Sequence, residues 1–436
     1  MNSQSEDVVR EIFKSCLDTR FPHLQPFLPA EAPLLLCGVC AWWRTIALTT
    51  PELWARLSVS IGREISDTAQ PSHPLIEVWI ARSGARPLAL VLKDLGLRSS
   101  IDRAEDVLQA FLPHFHRWQS ITLLLPNAAF PAALMDLGRL GTGVSQLQIA
   151  NLEFGADPGF QAADTPQVAG LARLLTVSSQ LHTLYYKNDP STLHLLDLSW
   201  AQLTVIDLVP VWSPMSQIID IMQKAPKLRS LSVFIVDACN VARPLGLPDL
   251  VILWIMSEVD LGPLFRQLNL PALSNLQVIC GNLVPLVPQT EVVNCINRSR
   301  CSLHAAIFKS LRIPEAALIA FLRQSPALIL FEVSNDGAAT ITDDILTLLT
   351  AGNADCLCPD LQIIRFPDSS VSSVDGLLAN MVASRRTTAS LSPSLSRFVV
   401  DFSDVDLTRH AADIRRLKEL GEVPGFLVWI NQPETG

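Results

Sequence analysis

The sequence predicts an α/β chain: a short helical unit at the N-terminus, then a long, irregular array with parallel strands on one side and helices on the other. Three observations predict it. A pattern of leucine-x-x-leucine-x-leucine, with apolar substitutions, returns along most of the chain. Stretches of helical apolar spacing lie between its copies, "AEDVLQAFL" and "EAALIAFLRQ" among them. The first ~60 residues show helix caps and helical periodicity instead of alternation.

Composition bounds the rest. Of 436 residues only 17% are charged, against a usual share of about 25%, and 49% are hydrophobic. Such a chain can bury a large core, so general disorder is excluded. A net charge of −9 argues against nucleic acid and anionic membranes, both of which need a basic face. The longest apolar run, Leu250 to Met256, is far short of the ~20 residues of a membrane span and reads as a buried strand. "MNSQSEDVVREIF" lacks the basic and apolar regions of a secretory leader. Nine cysteines, an odd number, then suggest reduced thiols in the cytoplasm or nucleus.

The N-terminal elements follow in order. Ser3 and Glu6 have capping-box spacing. Val8, Val9, Ile12, Phe13, Cys16 and Leu17 then form one apolar helical face. After a loop with Pro22, Pro26 and Pro29, a second helix is expected from Pro33. Its apolar face would hold Leu35, Leu36, Val39, Cys40, Trp43, Ile46 and Ala47, with Cys37 and Arg44 pointing away. "TTPEL" restarts a helix whose apolar side is Leu53, Trp54 and Leu57. About 60 residues make a marginal core, so this unit is expected to pack on a partner or on the following domain.

The same residues carry a resemblance. "EDVVREIFKSCL", with its Ile-Phe, and "VCAWWR" followed by Leu53-Trp54 resemble the F-box, especially F-box proteins abundant in mushroom-forming fungi. Val39, Cys40, Trp43 and Arg44 match the Val-Cys-x-x-Trp-Arg signature. Ser5-Glu6 stands where the family opens with Leu-Pro, and Ala41 where it has a basic residue. The resemblance implies docking to a Skp-family adaptor, and through it a cullin. The adaptor-binding residues it implies are Val8, Ile12, Phe13, Leu35, Leu36, Val39, Trp43, Leu53 and Trp54.

Beyond the box, a first strand is expected at "PLALVLKD", where Leu88, Leu90 and Leu92 alternate. The six-residue pattern then starts at 118, 144, 181, 203, 228, 250, 273, 303, 328, 361 and 395. The mean interval of about 28 residues is that of leucine-rich repeats, each a strand plus a helix or 3₁₀ turn. The expected architecture is an irregular leucine-rich-repeat solenoid, strands concave and helices convex, whose units bury their faces by stacking. "DIRRLKELG" would be a late helix stopped by Gly421, and "ASRRTTASLSPSLSR" a flexible loop. The boundaries read as a helical box at 5–60, linker and helix at 61–86, the array at 87–430 and a tail at 431–436.

Chemistry is sparse. Cys37 and Cys40 have redox-motif spacing without a βαβ unit, and Cys40 reads as a core thiol. Cys356 and Cys358 have no second ligand pair nearby, and His114 with His116 reads as a pair of loop histidines. Nucleophile-elbow, phosphate-loop and zinc-protease motifs do not occur, so no enzyme, metal or cofactor is expected. The F-box resemblance implies substrate recognition in a ubiquitin ligase, the array holding an unknown protein. The alternative is an interaction scaffold outside that pathway. Strand alternation puts Thr183, Tyr185 and Lys187, Val205, Asp207 and Val209, Ser230, Ser232 and Phe234, Ile252, Trp254 and Met256, and Asn275, Gln277 and Ile279 on the open side. From these, Tyr185, Phe234 and Trp254, rimmed by Lys187 and Asp207, form the expected substrate site, because interface centres favour aromatics.

Overall fold

The computed structural model describes residues 3–17, 30–61, 71–94, 101–125, 146–154, 172–188, 198–281, 289–334, 341–352, 355–367, 371–387, 395–402 and 408–431. The loop prolines Pro22, Pro26 and Pro29 lie outside these residues, as does the tail 432–436. The chain is mixed α/β and divides into two compact units, Met1–Val211 and Trp212–Gly436.

The first unit opens with helices α1 (Ser3–Ser15), α2 (Leu34–Val39) and α3 (Ala41–Leu48). The helix expected to run on from Pro33 is thus two helices. Cys40 is extended between them (φ −158°, ψ 169°), and its Sγ accepts the Trp43 N–H at 3.4 Å. That is the behaviour of an N-cap, whose backbone leaves the helix while its side chain satisfies a free donor. The break resets the helical phase, so Leu35 and Val39 no longer share a face with Ile46 and Ala47. It also reverses the expected thiols: Cys40 is exposed and Cys37 half-buried. Across from α3, Arg10 donates to Thr49 O at 2.8 Å and to Thr50 Oγ1 at 2.9 Å, placing a cation at the helix C-terminus.

The expected third helix is only a 3₁₀ turn, Pro51–Trp54, and the box does not end as helix. It runs directly into strand β1 (Arg56–Ile61), which pairs in parallel with β2 (Leu88–Asp94). Leu57 lies opposite Leu90 and Val59 opposite Leu92. "WARLSV", Trp54 to Val59, is therefore itself a copy of the six-residue pattern, and the strand series starts inside the 5–60 segment. The helix His73–Arg82 occupies the expected linker, and Ile101–Phe111 packs on β1 and β2.

β3 (Trp118–Leu125), β4 (Ile149–Phe154), β5 (Thr183–Lys187) and β6 (Val205–Pro214) follow, each parallel to the one before. One start needs correcting. Ile121 faces Ala150 and Leu123 faces Leu152, so the pattern in β4 begins at Leu147 and not at 144. Ile149, expected to be interior, is only half-buried, while Ala150 takes the core position.

The second unit continues with β7 (Ser230–Asp237), β8 (Leu245–Gly246), β9 (Ile252–Ser257), β10 (Leu268–Asn269), β11 (Asn275–Cys280) and β12 (Ala305–Lys309). It ends with β13 (Leu330–Val333), β14 (Ile341–Thr342), β15 (Ile363–Phe366), β16 (Val371–Ser372), β17 (Arg397–Asp401) and β18 (Leu427–Asn431). Its main sheet runs β7-β9-β11-β12-β13-β15-β17-β18, all parallel; β8 with β10, and β14 with β16, make small ladders on the connections.

Parallel neighbours need a crossover, and helices such as Met215–Lys224 and Glu315–Gln324 supply it. They bury Met215, Ile218, Ile221 and Met222, or Leu318, Phe321 and Leu322. One turn then feeds strand after strand. Leu228, Leu250, Leu273, Leu328 and Leu361 each donate their N–H to the carbonyl three residues back, at 3.1–3.3 Å. Each turn has proline at its second position (Pro226, Pro248, Pro271, Pro326, Pro359), where the fixed φ suits a type I or II turn. The turn delivers the first leucine inward, and the next apolar residues follow by alternation: Leu228, Leu231 and Val233, or Leu328, Phe331 and Val333, are all fully buried. Phe308, Phe331, Phe366 and Phe398 form an aromatic file along this core, Phe366 and Phe398 being 5.9 Å apart and edge-on.

Two further expectations change. Gly421 is the last residue of the helix Ala411–Gly421 and no stop; the positive φ belongs to Gly425. Of the Ser/Thr-rich stretch, 383–387 are helical and Arg397 starts β17, while 388–394 lie outside the described residues. No described helix is long and apolar enough to cross a membrane.

Candidate functional site

Of the nine residues expected to meet an adaptor, four are buried, four are exposed and Trp43 is intermediate. Phe13, Leu36, Leu53 and Trp54 belong to the chain's own interior. Phe13 meets Trp43 edge-on at 5.0 Å, leaving Trp43 half-buried. Trp54 donates its indole N–H to Ala47 O at 2.8 Å, stands edge-on to Trp79 at 4.8 Å, and lies under the Arg82 guanidinium at 4.6 Å. All four buried side chains pack against the chain's own interior, Leu53 and Trp54 by way of the 3₁₀ turn that leads into the first strand. The other set stays in water: Val8 is 59% exposed, Ile12 52%, Leu35 49% and Val39 54%. Val8 with Ile12, and Leu35 with Val39, are i,i+4 pairs, so each helix presents an aliphatic stripe that its own unit leaves uncovered.

The expected substrate residues fall in both units. In the first, Tyr185 lies between Asn151 and Asp207 in register, and all three are only part-buried, as alternation against buried Leu184 and Tyr186 requires. Asp207 accepts the Val209 N–H at 3.0 Å. Burial pushes its carboxyl above the usual range, with Val209 and Lys187 pulling the other way. Lys187 pairs with Glu153 at 3.7 Å, and the buried Asn151 Oδ1 has no donor among the described residues.

In the second unit Phe234 and Trp254 are likewise on the face opposite the buried leucines. Phe234 meets Trp212 edge-on at 6.1 Å, and Trp212 is 67% exposed. The Trp254 indole N–H is buried without an acceptor among the described residues. Further along the same register row, Trp254-Gln277-Ile307-Glu332-Arg365, lies a charge cluster that the sequence reading did not reach. Glu332 is buried between Lys309 Nζ at 2.8 Å and Arg365 Nη1 at 3.2 Å. The alternation count that yields Trp254 also yields Lys309, Glu332 and Arg365 once it is carried past 279.

The cysteine and histidine motifs are built into the framework. Cys358 is buried, its Sγ donating towards the Leu322 and Ser325 carbonyls at 3.3 Å, and burial pushes its thiol up to about 12. Arg385, fully buried, donates to the carbonyls of Leu349, Leu357 and Cys358, and its Nη2 is 3.6 Å from Cys356 Sγ. His114 and His116 sit in a 3₁₀ turn, Leu112–Arg117, instead of a loop, and burial with nearby Arg117 pulls His114 down.

Among the described residues one cluster is compact enough for a metal: Asp375, His410 and Asp413, with ligand atoms within 4.8 Å. Its carboxylates are already committed. Asp375 accepts the N–H groups of Asp413 and Ala412 at 2.9 and 3.0 Å, capping the helix that contains Asp413. Asp413 in turn accepts the Ala379 N–H at 2.7 Å and faces His410 Nδ1 at 3.0 Å. Asp375 is exposed and loses a little hydration, which pushes its carboxyl up, but those N–H donors and His410 outweigh it and hold it low. The arrangement is a reciprocal cap between successive helices.

No family model matches the chain, and no curated protein matches it in sequence.

Proposed function

We propose that the chain is the substrate-recognition subunit of a Skp–cullin–F-box type ubiquitin ligase. Its N-terminal helices are an F-box that docks the adaptor, and the strands behind them are a leucine-rich-repeat solenoid that holds a substrate protein. The chain performs no catalysis; ubiquitin transfer belongs to other subunits. The observation that supports this best is the pair of uncovered aliphatic stripes on α1 and α2, in the segment carrying the Val-Cys-x-x-Trp-Arg signature. A small unit that exposes Val8, Ile12, Leu35 and Val39 while burying Phe13, Leu36 and Trp54 has a use for a partner on that side.

The test is co-expression with a Skp-family adaptor followed by size-exclusion chromatography. A stoichiometric complex at micromolar concentration is the expected result. A folded chain that elutes alone refutes the ligase reading and leaves an interaction scaffold in its place.

A further inference from the structure

The open strand face of the second unit specifies what kind of segment it takes. Three features share that face. Trp212 and Phe234 make an aromatic ledge, with Trp212 exposed. Trp254 and Arg365 each carry a buried N–H, at Nε1 and Nε, that lacks an acceptor among the described residues. Lys309 and Arg365 are two cations sharing one carboxylate, Glu332, which leaves one positive charge uncompensated among the described residues of the cluster.

A buried donor without an acceptor costs on the order of 1–3 kcal/mol, so a ligand acceptor that a side-chain rotation brings within reach of it recovers that cost. Trp254 and Arg365 stand in one register row, separated by Gln277, Ile307 and Glu332. At ~4.8 Å per strand the row from Trp254 to Arg365 is about 19 Å long, the span of a short extended peptide. Apolar contacts are available at one end and an excess cation at the other.

We propose that this face binds an extended protein segment carrying aromatic or aliphatic side chains at one end and an aspartate or glutamate at the other. The carboxylate meets Lys309 and Arg365, and the apolar end rests on Phe234 and Trp212. A carboxylate is favoured over a phosphate because the cluster has a single surplus charge, and Glu332 would repel a dianion. This rests on the reading of the open face as the substrate surface.

The test is to pan a displayed library of random dodecapeptides against the full chain and measure the selected peptides by fluorescence anisotropy. Acidic residues beside aromatic or aliphatic ones should be enriched. Affinity should fall at least tenfold with Lys309→Gln, and severalfold with Trp254→Phe, which keeps an aromatic ring, though a smaller one, and removes the N–H. Asparagine for the peptide's aspartate should match the Lys309→Gln loss, and phosphoserine there should bind no tighter. Circular dichroism confirms that each variant is folded. Basic or charge-free selected peptides, acidic ones indifferent to Lys309→Gln, tighter phosphoserine peptides, or no enrichment on a folded chain each overturn the proposal. Adaptor binding measured on the same preparations separates the two readings: a failed peptide arm with an intact adaptor complex condemns this surface alone.

Discussion

Replacing Ile12 and Val39 together by glutamate should abolish adaptor binding while leaving the fold intact. The two positions lie on different helices, and each is a little over half exposed. Full burial of an Ile or Val side chain contributes about 1.5–3 kcal/mol, so covering the exposed half contributes roughly 1 kcal/mol at each position. Losing both removes about 2 kcal/mol, and forcing two carboxylates against an apolar partner adds a desolvation cost of similar size. The sum, about 2–4 kcal/mol, is a 30- to 1,000-fold rise in Kd. Stability should move little, because substitutions at exposed positions usually stay within about 0.5 kcal/mol. Isothermal titration calorimetry with a purified Skp-family adaptor, beside thermal melts of both chains, reads the two quantities separately. A double variant that binds within threefold of wild type would show that these stripes are not the docking surface. The single exchange Trp43→Ala is a poorer probe, since Trp43 also packs on Phe13.

Three other outcomes follow from named contacts. Trp54→Ala deletes a buried indole, its hydrogen bond and its contact with Trp79, and should destabilise the first unit by about 3–5 kcal/mol, read from the urea midpoint. Asp207→Asn keeps an oxygen for the Val209 N–H and removes a carboxylate that folding holds above its ordinary range. A raised carboxyl favours the fold at low pH and loses that contribution as pH climbs through the unfolded and then the folded value. The variant should therefore gain on wild type towards neutral pH and match it near pH ~3; lower stability at neutral pH would contradict the burial argument. Among the thiols, Cys16 and Cys40 should react with a disulfide reagent in the native state, whereas Cys280 and Cys358, pushed up to about 12 by burial, should react only on unfolding.

Much of the interior was legible because one rule writes it. Leu228, Leu231 and Val233 recur in kind at each strand, and a spacing of three then two survives substitution by Phe, Ala or Trp. The rule failed where a better-looking decoy lay nearby. At 144 a Val-x-x-Leu-x-Ile frame outcompeted the true Leu147-x-x-Ala150-x-Leu152, whose middle member is small. Trp54-x-x-Leu57-x-Val59 was hidden because proline and a capping threonine just before it announce a helix. The break at Cys40 was illegible for a different reason: cysteine is not among the usual capping residues, so nothing in the sequence marked a new helix start. The proline turns were visible all along as Pro-x-Leu, but their meaning required seeing the N–H of that leucine return to the carbonyl before the proline.

The two codes in each strand have different freedoms, and this bears on where specificity lies. Interior positions are held to apolar residues of fitting volume, since a cavity or an unpaired polar group there costs several kcal/mol. Positions on the open face answer only to their register neighbours. They accordingly vary from Tyr185 beside Asp207 in one unit to Trp254, Glu332 and Arg365 along one row in the other. A group placed there without an acceptor among the described residues, such as the Trp254 N–H, is tolerated by the fold without being required by it. Glu332 is the opposite case. Removing it would leave Lys309 and Arg365 facing one another, so the buried carboxylate is what holds the two cations together. Removing the Trp254 N–H should therefore weaken binding without lowering stability, whereas changes at Glu332 should lower binding and stability together.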